Sequence, residues 1–210
     1  MKLKKFNEFI SLSYGEVSDI FESAKTYISE NNLVENDYHN TEHMMNVFNN
    51  SMLLFNHYEK EYGLEPYHKL VLGLAALFHD FNHSGGKLVD KENIKLALVA
   101  LQEFLNEIGK LDLYDDIENI IIATEFPHLD MELDILQKII RDADTMGGII
   151  EGWQSVVSNL ASEYNKTLVE FIPSQIKFLD VVKFNTDYCN QLLQSNKEKI
   201  IKELNKLIEE

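Results

Sequence analysis

An all-α fold, a compact bundle of many helices, is what this sequence predicts. Apolar residues recur three and four positions apart along most of the chain, the period of a helix with one buried face. The β-branched alternation that marks strands is absent. Gly, Pro and Asn-Asn fall between the periodic runs, where helices stop.

The elements follow in order. Val17, Ile20, Phe21, Ala24 and Ile28 form one face of a helix over about 14–30, which Asn31-Asn32 ends. A second helix is predicted over about 37–61, with Val47, Leu54 and Tyr58 in the core. Gly63 and Pro66 separate it from the very apolar run 70–81, which reads as a buried central helix. Residues 82–89, with Gly85-Gly86, read as a loop, and a helix over about 91–108 stops at Gly109. Two shorter apolar segments, 117–124 and 133–144, are bounded by Pro127 and by Gly147-Gly148. A helix over about 153–164 follows. Pro173 is expected to open the next one, which reaches about 193, because its missing N–H would be unpaired at a helix start. The tail 197–210 reads as an amphipathic helix. Its Ile200, Leu204 and Leu207 would pack on the domain or on a second subunit, making a homodimer. With 210 residues and no repeat, low-complexity tract or linker, residues 1–210 read as one domain.

Charge narrows the function. Nineteen Lys and Arg against 35 Asp and Glu give a net charge of −16. A nucleic acid polymer would call for a basic stripe, so that partner is excluded, and an anionic membrane surface is disfavoured. A small phosphate ester stays within reach if bound metals invert the local field. The single cysteine, Cys189, allows no intrachain disulfide. Residues 1–10 lack the apolar core of a signal peptide, and no run approaches the length of a membrane span. The cytoplasm is the expected location.

The chemistry lies in three segments: Tyr38-His39-Asn40-Thr41-Glu42-His43, His79-Asp80-Phe81-Asn82-His83 and Asp142-Ala143-Asp144. His39 and His43 are one turn apart on the expected helix, and His79 and His83 repeat the spacing. Asp80 follows a run apolar enough to be buried, so its carboxylate needs a metal or a cation such as Lys87 or Arg141. Imidazoles and carboxylates together suit Zn²⁺, Mn²⁺, Fe or Mg²⁺. A carboxylate can also bridge two ions, a recurrent arrangement for attacking a phosphate ester. Asp142 and Asp144 compete for the last ligand position. His57 and His68 stand alone and read as structural.

The His-Asp pair with His43 and Asp144 resembles the HD-domain phosphohydrolase superfamily. Four segments are closer to the class I cyclic-nucleotide phosphodiesterases. Tyr38-His39-Asn40-x-x-His43 is similar to their YHNxxH element, and 79–85 to HDxxHxG. Residues 123–128 loosely resemble ATDxxxH, and 174–180 resemble the SQxxFxD helix. The likeness spans about 37–182. It implies that His43, His79, Asp80 and Asp144 hold one metal, by analogy Zn²⁺ (or Fe or Mn²⁺). Asp80 would bridge to a second, Mg²⁺ or Mn²⁺, and a metal-bridging hydroxide would open a 3′,5′-cyclic nucleotide to its 5′-monophosphate. His39 would be the general acid. His83 and Thr124 would orient water, with Glu92 as a supporting carboxylate. Gln175 would read the base edge, with Phe178 and Leu160 on its two faces. Gly147 stands where the family often has a base-contacting asparagine. Alternatives are a 5′-nucleotidase or nucleoside triphosphate hydrolase, a di-iron oxygenase using His83 and His128, and a nucleotide sensor without turnover.

Overall fold

Capping residues decide where the helices begin. The computed structural model describes residues 12–34, 36–128 and 131–209; the expected leaderless start, 1–10, lies outside them. Among the described residues there are nine helices and no strand. Ser13 caps α1 (Tyr14–Asn31) in a reciprocal box with Glu16, and Asn40 caps α2 (Thr41–Tyr62). Gly63, at φ 61°, ends α2 in the left-handed conformation that glycine adopts without strain. Pro66 opens α3 (Pro66–Phe78), which is buried continuously from Leu70 to Phe78. After α4 (Asp90–Glu107), a 3₁₀ turn at Leu111–Leu113 leads into α5 (Tyr114–Ile122). Asp134 and Gln137 box the start of α6 (Ile135–Thr145), which runs into a second 3₁₀ turn at Met146–Ile149. Then come α7 (Trp153–Glu163), α8 (Leu168–Val181) and α9 (Asp187–Glu209).

The apolar helix α3 forms the centre, packed by α1, α2, α4, α5 and α6. The pairs α7–α8 and α8–α9 build a second layer, joined to the first through the Met146–Ile149 turn. Val17, Phe21, Ala24, Ile28, Val47, Leu54 and Tyr58 are all in the core, as their spacing predicts. The apolar face of α9 serves the domain itself: Ile200 and Leu204 are buried, and Leu207 packs against the same core. Cys189 is buried and free. No helix among the described residues is long and apolar enough to cross a membrane.

Three boundaries depart from the sequence reading, each for a physical reason. First, α2 starts at Thr41 rather than near 37, because the Asn40 side chain accepts the His43 N–H. Second, α3 stops at Phe78 rather than 81, so the His-Asp pair lies in the turn that follows. Third, Pro173 sits inside α8 rather than at its start, since Thr167 and Glu170 form a capping box before it. The predicted helix to 193 is split between α8 and α9 by a buried carboxylate described below, and α9 runs on without the expected break between 193 and 197.

Candidate metal centre

Three helix ends converge on one point. His43 stands in the first turn of α2, His79 and Asp80 follow the last turn of α3, and Asp144 closes α6. Their ligand atoms all lie within 4.8 Å of one another and could hold a metal ion. His43 Nε2 is 3.2 Å from Asp80 Oδ2 and 3.0 Å from Asp144 Oδ1. His79 Nε2 is 3.2 Å and 3.6 Å from the same two oxygens. Metal–ligand bonds of ~2.0–2.1 Å put tetrahedral ligand atoms ~3.3 Å apart, so these separations fit one small divalent ion.

Hydrogen bonding does not account for the cluster equally well. His43 is 7% exposed and His79 1%, yet neither Nε2 has a partner in hydrogen-bond alignment. His79 Nδ1 lies 2.9 Å from the Ala76 carbonyl, which can only accept, so Nδ1 carries the proton. In the neutral ring Nε2 therefore turns its lone pair toward two carboxylates, an arrangement a cation resolves. The charges agree. Burial opposes the charged form of His79, but Asp80 and Asp144 pull it well above its ordinary value. Burial likewise resists ionisation of Asp144, while His43 and His79 hold it well below the carboxylate range.

Asp142, the competing ligand, points elsewhere. It is fully buried and accepts from the Asn185 backbone and side chain and from the Thr186 N–H and hydroxyl, at 2.6–3.1 Å. It thus fixes the break before α9. Burial raises its pKa, against the pull of those donors.

A second group lies beside the first. His39, His83 and Glu163 also bring potential ligand atoms within 4.8 Å of one another. The His39 and His83 rings stack at 3.9 Å with 27° between their planes. Glu163 Oε2 accepts the backbone N–H of both Tyr38 and His39 at 2.9 Å, and Oε1 meets His39 Nδ1 at 2.5 Å. Burial opposes its charge, yet His39 and these N–H groups hold Glu163 down to about 2. Asn36 ties the two loops together, donating to the His39 and His83 carbonyls. Asn82, in the left-handed region at φ 57°, turns the chain between Asp80 and His83, and its N–H donates to Asn32.

The structure redistributes some expected roles. His39 precedes the Asn40 cap, so it and His43 are not a helical pair. Glu92 does not support His83: it is an outward residue paired with Lys95 at 2.7 Å. The buried Asn93 takes that place, with Nδ2 2.8 Å from His83 Nε2 and Oδ1 accepting the Ser84 N–H. Thr124 is buried, with its hydroxyl donating to the Ile121 carbonyl at the end of α5. His128 is exposed and its Nδ1 meets the Glu125 carbonyl, outside both clusters. Gln175 and Phe178 come together over Gly148, in the turn after Asp144. Gln175 Nε2 is 3.5 Å from the Gly148 carbonyl, and a Cβ there would meet both side chains. Leu160 packs against the core from α7.

A cleft of about 320 Å³ opens on His43 and Asp144 between α2 and α7. Tyr38, Asn46, Asn50, Ser155 and Asn159 line it, with the carboxylates of Glu42 and Glu151 and no Lys or Arg. Gln175, Phe178 and Leu160 are not among its walls.

Sequence reasoning missed Glu163 and Asn93. Glu163 carries no local signal, since it reaches His39 from 124 residues away. Asn93 was within reach, because the position next to Glu92 is the one that turns inward on α4.

No protein-family model and no curated protein matches the chain. Among the solved structures similar to it are two of low sequence identity. The Lin1889 protein of Listeria innocua shares 19% identity at a TM-score of 0.60, covering 91% of this chain and 94% of that one. A Lactobacillus plantarum protein shares 16% identity at a TM-score of 0.64, covering 90% and 95%. Their likeness establishes the shared helical fold.

Proposed function

We propose that this chain is a cytoplasmic, metal-dependent phosphoric ester hydrolase of the HD-domain kind, acting on a 3′,5′-cyclic nucleotide to give the 5′-monophosphate. The observation that carries the reading is the set of four ligand atoms 3.0–3.6 Å apart with no hydrogen-bond alignment at either Nε2. His43, His79, Asp80 and Asp144 would hold the ion, with Zn²⁺, Fe or Mn²⁺ in this set and Mg²⁺ or Mn²⁺ at a second position shared through Asp80. Bound there, divalent metal would supply a water acidic enough to react at neutral pH and would neutralise the phosphate.

The chain's own residues divide the remaining work. His39, whose ring lies 5.8 Å from that of His43, would protonate the leaving oxygen. The cleft's lack of Lys and Arg favours a singly charged diester over a triphosphate, whose extra charge would meet Glu42 and Glu151. For the base to reach Gln175 and Phe178, which meet over Gly148 beyond the cleft's walls, the buried Gln175 would exchange its long Gly148 contact for a base edge.

Product chromatography with Mn²⁺- or Mg²⁺-loaded protein tests this, using cyclic nucleotides, mononucleotides and triphosphates. A 5′-monophosphate released from a cyclic nucleotide supports the reading; turnover of linear nucleotides alone moves the substrate. Gln175→Ala should raise KM roughly tenfold, ~1.4 kcal/mol of binding, with kcat little changed. An unchanged KM would detach Gln175 from the substrate.

A further inference from the structure

We propose that the cleft between α2 and α7 seats a leaving alcohol, so that the hydrolase also cleaves linear dinucleoside monophosphates; this rests on the hydrolase reading above. Two separate places adjoin the four ligand atoms. One is the cleft, about 320 Å³ in volume, which opens on His43 and Asp144. Volumes of ~300–1,000 Å³ are those of small-molecule sites. The other is the turn at Gly148 where Gln175 and Phe178 meet, beyond the cleft's walls. The phosphorus of a 3′,5′-cyclic nucleotide carries one nucleoside, which can occupy only one of these places. A linear diester carries two organic groups and can occupy both.

The walls indicate which group the cleft takes. Asn46 and Asn50 follow His43 at helical spacing on α2, so their amides extend the face that carries the ligand. Ser155 and Asn159, one turn apart on α7, line the opposite wall. Asn50 Nδ2 donates to the Ala143 carbonyl at 3.2 Å. The side chains of Asn46, Ser155 and Asn159 make no hydrogen bond to any described residue. Amides and hydroxyls both donate and accept, which suits the hydroxyls and ring edges of an uncharged nucleoside. Glu42 and Glu151 add negative charge and no Lys or Arg offsets it, so a second phosphate in the cleft is disfavoured. Gly147 also lines the cleft, and a Cβ there would already touch Val156 at 3.4 Å, so the missing side chain keeps the space open. Tyr38, next to the proton donor His39, belongs to the same walls. In the reaction, water adds its oxygen to phosphorus and releases a proton to solvent. The bond from phosphorus to the 3′-oxygen breaks, and its electron pair stays on that oxygen. The oxygen takes a proton from His39, which recovers one from solvent. The products are a nucleoside, released from the cleft, and a nucleoside 5′-monophosphate.

A matched pair of substrates tests this. Metal-loaded full-length protein would be given the 3′,5′-cyclic 2′-deoxynucleotide of its preferred base and the 3′→5′ dinucleoside monophosphate of the same deoxynucleoside. Both should yield the same 5′-monophosphate, the second with an equal amount of free nucleoside. Ser155→Trp fills the cleft from an exposed position and should lower kcat/KM for the dinucleoside at least about tenfold relative to the cyclic substrate. Asn159→Leu, at another exposed position, should shift the ratio in the same direction without adding bulk. A 5′-phosphate on the leaving nucleoside should slow the wild type roughly tenfold, since it meets Glu42 and Glu151. Turnover of the cyclic substrate alone, or equal losses on both substrates in the two variants, would overturn the proposal and leave the hydrolase reading standing. Turnover of neither would sink the reading and the dinucleoside activity together. A second readout needs no turnover: the free nucleoside should shift the side-chain amide ¹⁵N–¹H signals of Asn46 and Asn159 in the wild type and not the Asn46 signal in Ser155→Trp. Unmoved signals in the wild type would show that the cleft seats no nucleoside.

Discussion

The two clusters use the same residue types and differ in how each nitrogen is partnered. In the His43, His79, Asp80 and Asp144 set, imidazole nitrogens and carboxylate oxygens converge at 3.0–3.6 Å without hydrogen-bond alignment. In the His39, His83 and Glu163 set, the carboxylate is saturated by N–H donors and the rings stack. The first arrangement is completed by a cation, either a metal ion or the proton that the carboxylates draw onto His79. In the second, the carboxylate already has its donors. Ligand types alone allow a metal ion at either group; only the hydrogen-bond alignment distinguishes them.

The largest effect that would break this comparison belongs to Asp80. Asp80→Ala removes the oxygen shared by His43 and His79, so metal per chain should fall below one tenth and hydrolysis should be abolished. A chelator should lower the unfolding midpoint of the wild type and leave that of Asp80→Ala unmoved, since only a chain that binds the ion gains stability from it. Elemental analysis and thermal unfolding check both. Full metal occupancy in Asp80→Ala would show that the convergent set is not the binding site.

Acid should distinguish the second cluster. The Glu163 carboxyl is held at about 2, below its ordinary 4.5. A lowered carboxyl pKa contributes stability that is fully present above the ordinary value and disappears as pH falls toward the folded one. Wild type should therefore exceed Glu163→Gln by up to ~3 kcal/mol near neutrality, with the gap closing between roughly pH 4.5 and 2. Urea unfolding across that range measures it. A gap that persists at pH 2 would assign the stabilisation to the neutral contacts rather than to charge.

Much of this was legible in the sequence, and the boundary of legibility is physical. Helical spacing located every helix whose buried face is local, as with Val17, Phe21, Ala24 and Ile28 on α1. The convergence of His43, His79, Asp80 and Asp144 was legible from motif spacing and the apolar run before Asp80, although the helix ends that carry them were not. Asn40 precedes His43, and the apolar run of α3 leads to His79-Asp80. What was hidden depends on distant partners. The break between α8 and α9 is enforced by Asp142, 43 and 44 residues from Asn185 and Thr186, and nothing beside Thr186 announces it. Glu163 was hidden for the same reason. Pro173 misled because its tolerance near a helix start was weighed above the Thr167–Glu170 box that precedes it.

The smallest effect sharpens the same distinction on one turn of α4. Glu92 and Asn93 are adjacent, but only Asn93 faces His83. Glu92→Ala removes a surface pair with Lys95, and exposed pairs are worth ~0–1 kcal/mol, so its stability and metal content should match the wild type closely. Asn93→Ala is the control. It strips a buried partner from both His83 Nε2 and the Ser84 N–H, and buried groups left unpaired cost ~1–3 kcal/mol each. Asn93→Ala should therefore lower the urea midpoint visibly and, with His83 freed beneath the His39 ring, reduce kcat while leaving bound metal in place. If Glu92→Ala instead proved the more damaging of the two, His83 would be supported by the carboxylate that the family resemblance proposes, and the α4 face assigned here would be wrong.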